Sequence, residues 1–310
     1  MNNKNIPTFV CLIGLSGSGK STKAKELAKS YDAVILSSDA LRKELYNDEN
    51  HQAHNSEVFD ELHKRAKENI KNGKSVIFDA TNIIMKRRIY LLHQFSEFPC
   101  KKIAMIMATD YEKCLEYNEI RNRNVPEYSI RRHYKTIQFP YFYEGWDEIV
   151  ICRNKNNITG NLHNEIKEMM NLSHDNHHHS LTVGEHCLKC HEECKKLLKD
   201  SDMPIERQNI ILTAAYYHDL GKPFCKIFQN YKGKATEEAH YYGHQNVSAY
   251  KYICGEIVPD DIALHVAVLI QWHMEHFLFF GEGKNKFNNL LGKELIEELE
   301  FLHKADLAAH

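Results

Sequence analysis

Two groups of residues in this 310-residue chain have the types and spacing to do chemistry. The first is Gly14-Leu15-Ser16-Gly17-Ser18-Gly19-Lys20-Ser21, followed by Thr22. Glycines so spaced let successive backbone N–H groups converge on anionic oxygens. A helix opening at Lys20 adds the positive end of its dipole. Lys20 then reaches the β- and γ-phosphates, and the Ser21 hydroxyl ligates Mg²⁺. Gly14, Ser16, Gly17, Ser18, Gly19, Lys20, Ser21 and Thr22 are therefore read as a cradle for a nucleoside triphosphate.

The second group centres on Tyr216-Tyr217-His218-Asp219-Leu220-Gly221-Lys222. Adjacent His and Asp reach one metal only if other helices supply the remaining ligands. His218 continues a stripe with Ile211, Ala214 and Ala215; His273 continues Ile262, Val266 and Leu269. Asp306 lies in line with Leu295, Leu299, Leu302 and Ala309, while His186 sits beside another stripe and His244 opens a further helix. Any one of these histidines alone reads as an ordinary core or surface residue. Ionisable groups on several buried stripes are costly unless a shared metal satisfies them. His186, His218, Asp219, His244, His273 and Asp306 are thus the expected metal ligands, with Lys222 placed to steady phosphate charge. Of the 20 histidines, 14 lie from His174 onward, which points the same way.

Other residues are more ambiguous singly. Asp39, after Ser37-Ser38, is placed to accept a proton from an attacking hydroxyl. Arg42, one helical turn on, would grip an acceptor phosphate by its planar fork; a capping Asp and a surface Arg are the plain alternative. Asp79, closing Val76-Ile77-Phe78, suits either an acceptor pocket or a metal shell. Arg121 and Arg123 can close over a triphosphate, or form a solvated cluster. Cys187, Cys190, His191 and Cys194 share one helix, which rarely places four ligands around one ion, so packed thiols are expected. His179, in His177-His178-His179, reads as a polar domain entry.

These residues need elements to hold them. Up to residue 153, apolar strand runs (Phe9–Gly14, Ala33–Ser37, Ser75–Phe78, Lys102–Ala108, Glu148–Cys152) alternate with helical segments (Lys20–Ser30, Ser56–Asn72, Lys86–Phe95, Tyr111–Asn122, Ser129–Thr136). That alternation predicts an α/β domain: a parallel sheet flanked by helices, with its site at the strands' carboxyl ends. The polar run 154–160 opens a linker over 154–173. From His174 to His310 only 3.6-residue periodicity remains, near Thr182–Leu198, Arg207–Leu220, His244–Cys254, Asp261–Phe277 and Lys293–Ala309, so an all-α domain is expected.

Composition bounds the function. Apolar content of 43% and charged content of 26% describe a soluble globular chain, and no apolar run is long enough to span a membrane. The polar first residues carry no signal-peptide pattern, and nine cysteines then read as reduced thiols of a cytoplasmic protein. Residues 1–153 carry 24 Lys and Arg against 20 Asp and Glu, too slight an excess for a long nucleic-acid track. Any nucleic acid would be held by a short end.

The set Gly14–Thr22, Ser38-Asp39-Ala-Leu-Arg42, Phe78-Asp79-Ala-Thr-Asn82, Arg121–Glu127 and Glu144-Gly-Trp-Asp-Glu148 resembles the 5′-hydroxyl polynucleotide kinases of the P-loop superfamily, over about residues 7–152. The resemblance implies ATP with Mg²⁺ as donor, Asp39 as general base, Arg42 on the acceptor phosphate, and lid arginines on ATP; Arg121 and Arg123 match the lid best, with Arg131 and Arg132 as rivals. The ordered set His186, His218-Asp219, His244, His273, Asp306 resembles the HD phosphohydrolase superfamily, over about residues 174–310. That implies one or two transition-metal ions (Mn, Ni, Co, Fe or Zn), with Asp219 able to bridge two. Together the chain is similar to bifunctional polynucleotide kinases with an HD phosphohydrolase domain. The expectation is an end-healing enzyme for nucleic acid, RNA favoured, that phosphorylates 5′-OH ends and hydrolyses 2′,3′-cyclic or 2′-phosphate ends ahead of a ligase. Two alternatives stand: a small-molecule or nucleoside kinase fused to a nucleotide phosphohydrolase, and a nucleotide-sensing regulator with an inactive HD site.

Overall fold

A computed structural model describes residues 6–121, 123–153, 162–176, 180–275 and 291–309. The chain separates into two compact units, Met1–Ile130 with Pro140–Asn154, and Arg131–Phe139 with Lys155–His310.

In the first unit, β1 (Thr8–Ile13), β2 (Val34–Ser37), β3 (Val76–Asp79), β4 (Lys101–Ala108) and β5 (Glu148–Arg153) form one parallel sheet in the order β2-β3-β1-β4-β5. Every residue of β1 is buried, because helices cover both faces of a parallel sheet and leave no side for polar alternation. The helices are α1 (Lys20–Tyr31), α2 (Ser38–Tyr46), α3 (Asn55–Lys71), α4 (Met85–His93) and α5 (Tyr111–Glu119). Asp79 is in register with Leu12 of β1 and with Ser37 of β2. The ends of these three strands therefore gather at one edge, where connections diverge to either side and ligands bind in such sheets.

Helix α2 is nine residues long. It starts directly on the strand end, where the Ser37 hydroxyl accepts from the N–H of Ala40 at 3.5 Å. Farther round the edge, Arg88 of α4 and Glu144, in a 3₁₀ turn at Phe142–Glu144, form a fully buried bidentate pair at 2.8 and 2.6 Å. Trp146 donates to the same carboxylate at 2.9 Å, and Arg88 also donates to the Asn82 carbonyl at 2.8 Å.

Helix α6 (Glu127–Thr136) runs past the end of the first unit, and its second half belongs to the other. There Tyr134 meets Phe224 and Tyr250 edge-on, and Arg131 lies over the Phe224 ring at 4.2 Å. The rest of this second unit is built from α7 (Leu162–Met169), α8 (Val183–Leu198), α9 (Ile205–Tyr217), α10 (Lys222–Cys225), α11 (His244–Gly255), α12 (Asp260–Trp272) and α13 (Lys293–Ala308). Its apolar stripes pair α8 with α9 and α13, and α12 with α9 and α11. The all-α expectation misses a hairpin, β6 (Ile227–Gln229) with β7 (Ala235–His240). β6 is too short to show a period, and Thr236-Glu237-Glu238 in β7 is too polar to look like a strand. The turn is made by Asn230, whose side chain accepts from the N–H groups of Lys232 and Lys234. No helix among the described residues is long and apolar enough to cross a membrane.

Candidate active sites

The glycine loop follows β1 and ends as α1 begins. Gly17 has φ +85°, and a Cβ there would lie 2.1 Å from the Cys114 carbonyl oxygen on α5, so only glycine fits. The loop is tied down from outside: Gly14 N–H donates to Thr81 O at 3.1 Å, and the Thr109 hydroxyl donates to Ser18 O at 3.0 Å. Asn82, itself in the left-handed region, donates to Leu12 O at 2.8 Å and joins the end of β3 to that of β1. Lys20 Nζ donates to the Gly14 and Leu15 carbonyls at 3.0 and 2.6 Å.

Burial pulls the Lys20 ammonium below its ordinary pKa and Asp79 opposes this; burial pushes the Asp79 carboxyl up, against Lys20 and a hydrogen bond from Ser21. Arg121 is close enough to act on both. Ser21 and Thr22 stay exposed on the first turn of α1. A hydroxyl and a carboxylate side by side next to a phosphate cradle are a fitting pair of oxygen donors for Mg²⁺.

A second cluster forms one strand over. Asp39 lies in the first turn of α2, and Arg42, one turn on, donates to its Oδ1 at 2.8 Å. Arg123 pairs with the other oxygen of Asp39. Arg42 is buried, which pulls its guanidinium below the ordinary pKa, with Asp39 countering. Its NH2 donates to Asn55 Oδ1 at 2.8 Å, and Arg123 Nε donates to Asn50 Oδ1 at 2.8 Å. Two guanidinium forks around one carboxylate make a place for a phosphate beside a proton acceptor. Arg131 donates instead to Phe224 O at 3.0 Å, within the second unit.

In the second unit six residues from five helical segments converge. A capping box opens α8, with Thr182 N–H donating to Glu185 and Glu185 N–H to the Thr182 hydroxyl, so His186 falls in the second turn. α9 and α12 end on His218 and His273, and α11 begins at His244. Each of these three rings turns Nδ1 back to the carbonyl three residues earlier: Ala215 at 2.9 Å, Ile270 at 2.7 Å and Tyr241 at 2.9 Å. His186 Nδ1 faces Ala309 O at 3.4 Å. A carbonyl only accepts, so the Nδ1 atoms carry the protons and Nε2 is the atom each ring could offer to a metal.

Those Nε2 atoms meet in pairs, His186 with His218 at 3.2 Å and His244 with His273 at 3.3 Å. Asp306 Oδ1 lies 2.9 Å from His186 Nε2 and 3.5 Å from His218 Nε2. Asp219 spans both pairs, with Oδ2 3.2 Å from His218 and Oδ1 3.2 Å from His244. Both Asp219 oxygens are fully buried without a well-aligned hydrogen bond. Lone pairs and carboxylates so packed repel one another unless a cation lies among them. The charge balance says the same: burial would depress His218, but Asp219 and Asp306 hold it up to about 10. Mixed nitrogen and oxygen donors fit first-row transition metals, and the groups His186, His218, Asp306 and Asp219, His244, His273 can each hold one.

Gly221 completes the motif. A Cβ there would sit 2.3 Å from His244 O, so glycine lets α10 approach α11, and its N–H donates to Ser248 Oγ at 2.8 Å. Lys222 is buried with Nζ 2.7 Å from Asp219 Oδ2 and 3.1 Å from His174 Nε2.

The expected residues thus fall into three constellations: the loop with Asp79 and Arg121, the Asp39–Arg42–Arg123 cluster, and the His/Asp centre with Lys222. Cys187, Cys190 and Cys194 are buried thiols and His191 meets the Tyr216 ring edge-on at 5.6 Å; among the described residues the four form no ligand group, and Cys187 lies instead with His218 and Asp219. His177, His178 and His179 lie outside the described residues, as does 154–161 of the linker. Sequence reasoning missed His174, which no period marks, and Asn50 and Asn55, which are ordinary loop residues by type. It quoted Glu144 without its partner Arg88, 56 positions away.

Residues 9–140 match the family model of the AAA domain, and residues 176–308 match that of the HD domain. A search of curated proteins finds no match. Among solved structures, a chain of the Pnkp1/Rnl/Hen1 RNA repair complex is 22% identical over 43% of this chain and 45% of its own, with TM-score 0.38. A second structure of the Pnkp1/Rnl/Hen1 complex aligns at 22% identity over 47% of this chain and 45% of its own, with TM-score 0.35. A gluconokinase from Sinorhizobium meliloti aligns at 16% identity over 47% of this chain and 82% of its own, with TM-score 0.35. The chain spans less than half the length of the RNA-repair chains it matches.

Proposed function

We propose that this chain, an AAA-type P-loop domain followed by an HD domain, heals nucleic-acid ends by adding a phosphate at a 5′-OH and removing one from a 2′,3′-cyclic or 2′-phosphate terminus. The observation that carries the reading is Asp39, a carboxylate between Arg42 and Arg123 at the end of β2, with β3 between that strand and the one that carries the phosphate loop. Two arginines beside the proton acceptor suit an acceptor that already bears a phosphate, whose oxygens take planar guanidinium forks.

In the first reaction the loop amides and Lys20 bind the ATP phosphates, with Arg121 over them. Ser21 and Asp79 hold Mg²⁺, which assigns Asp79 to the metal shell rather than the acceptor. Arg42 takes the acceptor's first internucleotide phosphate, joined by Arg123, whose pairing with Asp39 moves it there from its expected place beside Arg121 on ATP, and the Asp39 carboxylate faces the 5′-OH. As the 5′-oxygen forms its bond to the γ-phosphorus, the bond to the ADP oxygen breaks and the hydroxyl proton passes to Asp39.

In the second, His186, His218, Asp306, Asp219, His244 and His273 hold one or two transition-metal ions, Mn, Ni, Co, Fe or Zn. Such ions polarise a phosphoryl group and lower the pKa of water. Asp219 bridges the two ligand groups, Lys222 balances its charge beside the scissile phosphate, and His174 keeps Lys222 in place. All nine cysteines are free thiols, which supports a reducing, cytoplasmic setting with a ligase acting next on the healed ends.

The test is an oligoribonucleotide with 5′-OH and 2′,3′-cyclic phosphate ends, incubated with ATP, Mg²⁺ and Mn²⁺ or Ni²⁺, with both ends read on one gel. Phosphate gained at one end and lost at the other supports the reading. Labelling of nucleosides or sugars with none of oligonucleotides overturns it in favour of a small-molecule kinase. Absence of both activities leaves a nucleotide-sensing regulator.

A further inference from the structure

The segment from the end of α2 to the start of α3 carries three rings that neither reaction above uses. His51 Nε2 and His54 Nδ1 are 2.8 Å apart, so one donates and the other accepts. Their centroids lie 5.0 Å apart with planes 18° from parallel. A hydrogen bond in the ring plane at that spacing makes the two imidazoles one flat surface, about as broad as a purine. Tyr46 stacks on both, at 4.3 and 5.2 Å and within 21° of parallel, and its hydroxyl donates to Glu57 at 2.7 Å. His54 is exposed and His51 half-buried, and no other ring among the described residues stacks on the pair.

This segment is fastened to the Asp39 cluster at two points. Asn55 accepts from Arg42, and Asn50 accepts from Arg123. His51 and His54 are thus each one residue along the chain from an asparagine that holds one of the two arginines flanking Asp39, whereas Lys20 is held by the Gly14 and Leu15 carbonyls of the phosphate loop. A strand whose first phosphate reached Arg42 would bring its terminal base into this neighbourhood. Every base has a π-face, so a ring platform binds one without reading its identity. The slight positive balance of the first half leaves stacking, more than a charged track, to supply affinity.

We infer that Tyr46, His51 and His54 form a stacking platform for the nucleobase of the 5′-terminal nucleotide of the acceptor strand. The inference rests on the 5′-kinase reading and adds what that site recognises beyond phosphate.

The experiment places 2-aminopurine at the 5′ end of a 5′-OH oligonucleotide and follows both its fluorescence and its phosphorylation. The wild-type protein quenches the fluorophore, and His51→Gln/His54→Gln, which keeps polar edges without rings, does not. The same double variant raises the KM for the oligonucleotide by about five- to 150-fold, the scale of one lost base–ring stack, and leaves the KM for ATP unmoved. On an oligonucleotide lacking only its 5′-terminal base the variant and the wild type perform alike. Tyr46→Phe, which keeps the ring, retains binding.

Equal losses on base-bearing and abasic acceptors overturn the platform, because the rings then serve only the loop's shape. A rise confined to the KM for ATP also overturns it, placing adenine on the rings. An active wild type with no base–ring coupling removes the platform alone, while a wild type that phosphorylates no 5′-OH oligonucleotide removes the kinase reading and the platform with it.

Discussion

In the proposed kinase reaction Asp39 and its arginines have separable jobs. Replacing Asp39 by Ala removes the proton acceptor but leaves Arg42 and the loop, so 5′ phosphorylation is expected to fall by about 10²- to 10⁴-fold with the phosphohydrolase untouched. Measuring both activities on one preparation checks this, and equal loss of the two would point to misfolding instead. His174 gives a pH test in the metal-free protein. Burial first, and then Lys222, holds its pKa down at about 4 against an ordinary 6.5. The native ring stays neutral where the unfolded one takes a proton, so the contribution to stability is complete above pH 6.5 and is lost as pH falls toward 4. His174→Gln should flatten that part of a urea-unfolding profile by up to about 3 kcal/mol, from 1.36 kcal/mol per pKa unit. Parallel profiles would refute it. At this scale the motif residues were legible because phosphate and metal chemistry restrict residue type. His174, Asn50 and Asn55 were not, because a lysine or arginine can be held by many kinds of neighbour.

The Arg88–Glu144 pair ties α4, the 3₁₀ turn before β5 and the Asp79–Asn82 turn into one rigid edge. Glu144→Gln leaves a buried guanidinium uncompensated and should cost about 3–5 kcal/mol, while Arg88→Met/Glu144→Leu should recover most of that. Denaturant unfolding of the three proteins decides between this and a weak surface-like pair. Kinase activity should stay low in the double variant, because Asn82 loses its anchor beside the loop. The elements themselves were readable where packing enforces a period: five strands, and helices whose stripes end on His218, His273 and Asp306. The β6–β7 hairpin escaped notice because turn chemistry, not periodicity, defines it.

The two proposed reactions can be told apart by their metals. Stripping transition metals with a chelator and restoring only Mg²⁺ should recover 5′ phosphorylation and leave the phosphohydrolase silent until Mn²⁺ or Ni²⁺ is added. Scanning calorimetry of the stripped protein should show a lowered transition for the second unit, since ions bound only in the native state stabilise it. Loss of both activities, or a phosphohydrolase that works in Mg²⁺ alone, would contradict the assignment of ligands.

Much of the chemistry proposed above was legible in the sequence, since Gly14–Ser21 has the residue types of a phosphate cradle and His and Asp on buried helical stripes are the residue types of a shared cation site. Only the tertiary structure decided how those groups face one another. Backbone carbonyls turn each ligand Nε2 inward, and strand register sets Asp79 against Ser37. Long-range hydrogen bonds then fasten the ring-bearing segment to Arg42 and Arg123. The reason is physical: local sequence limits what a residue can do, but hydrogen bonds between positions far apart in the chain choose its partner.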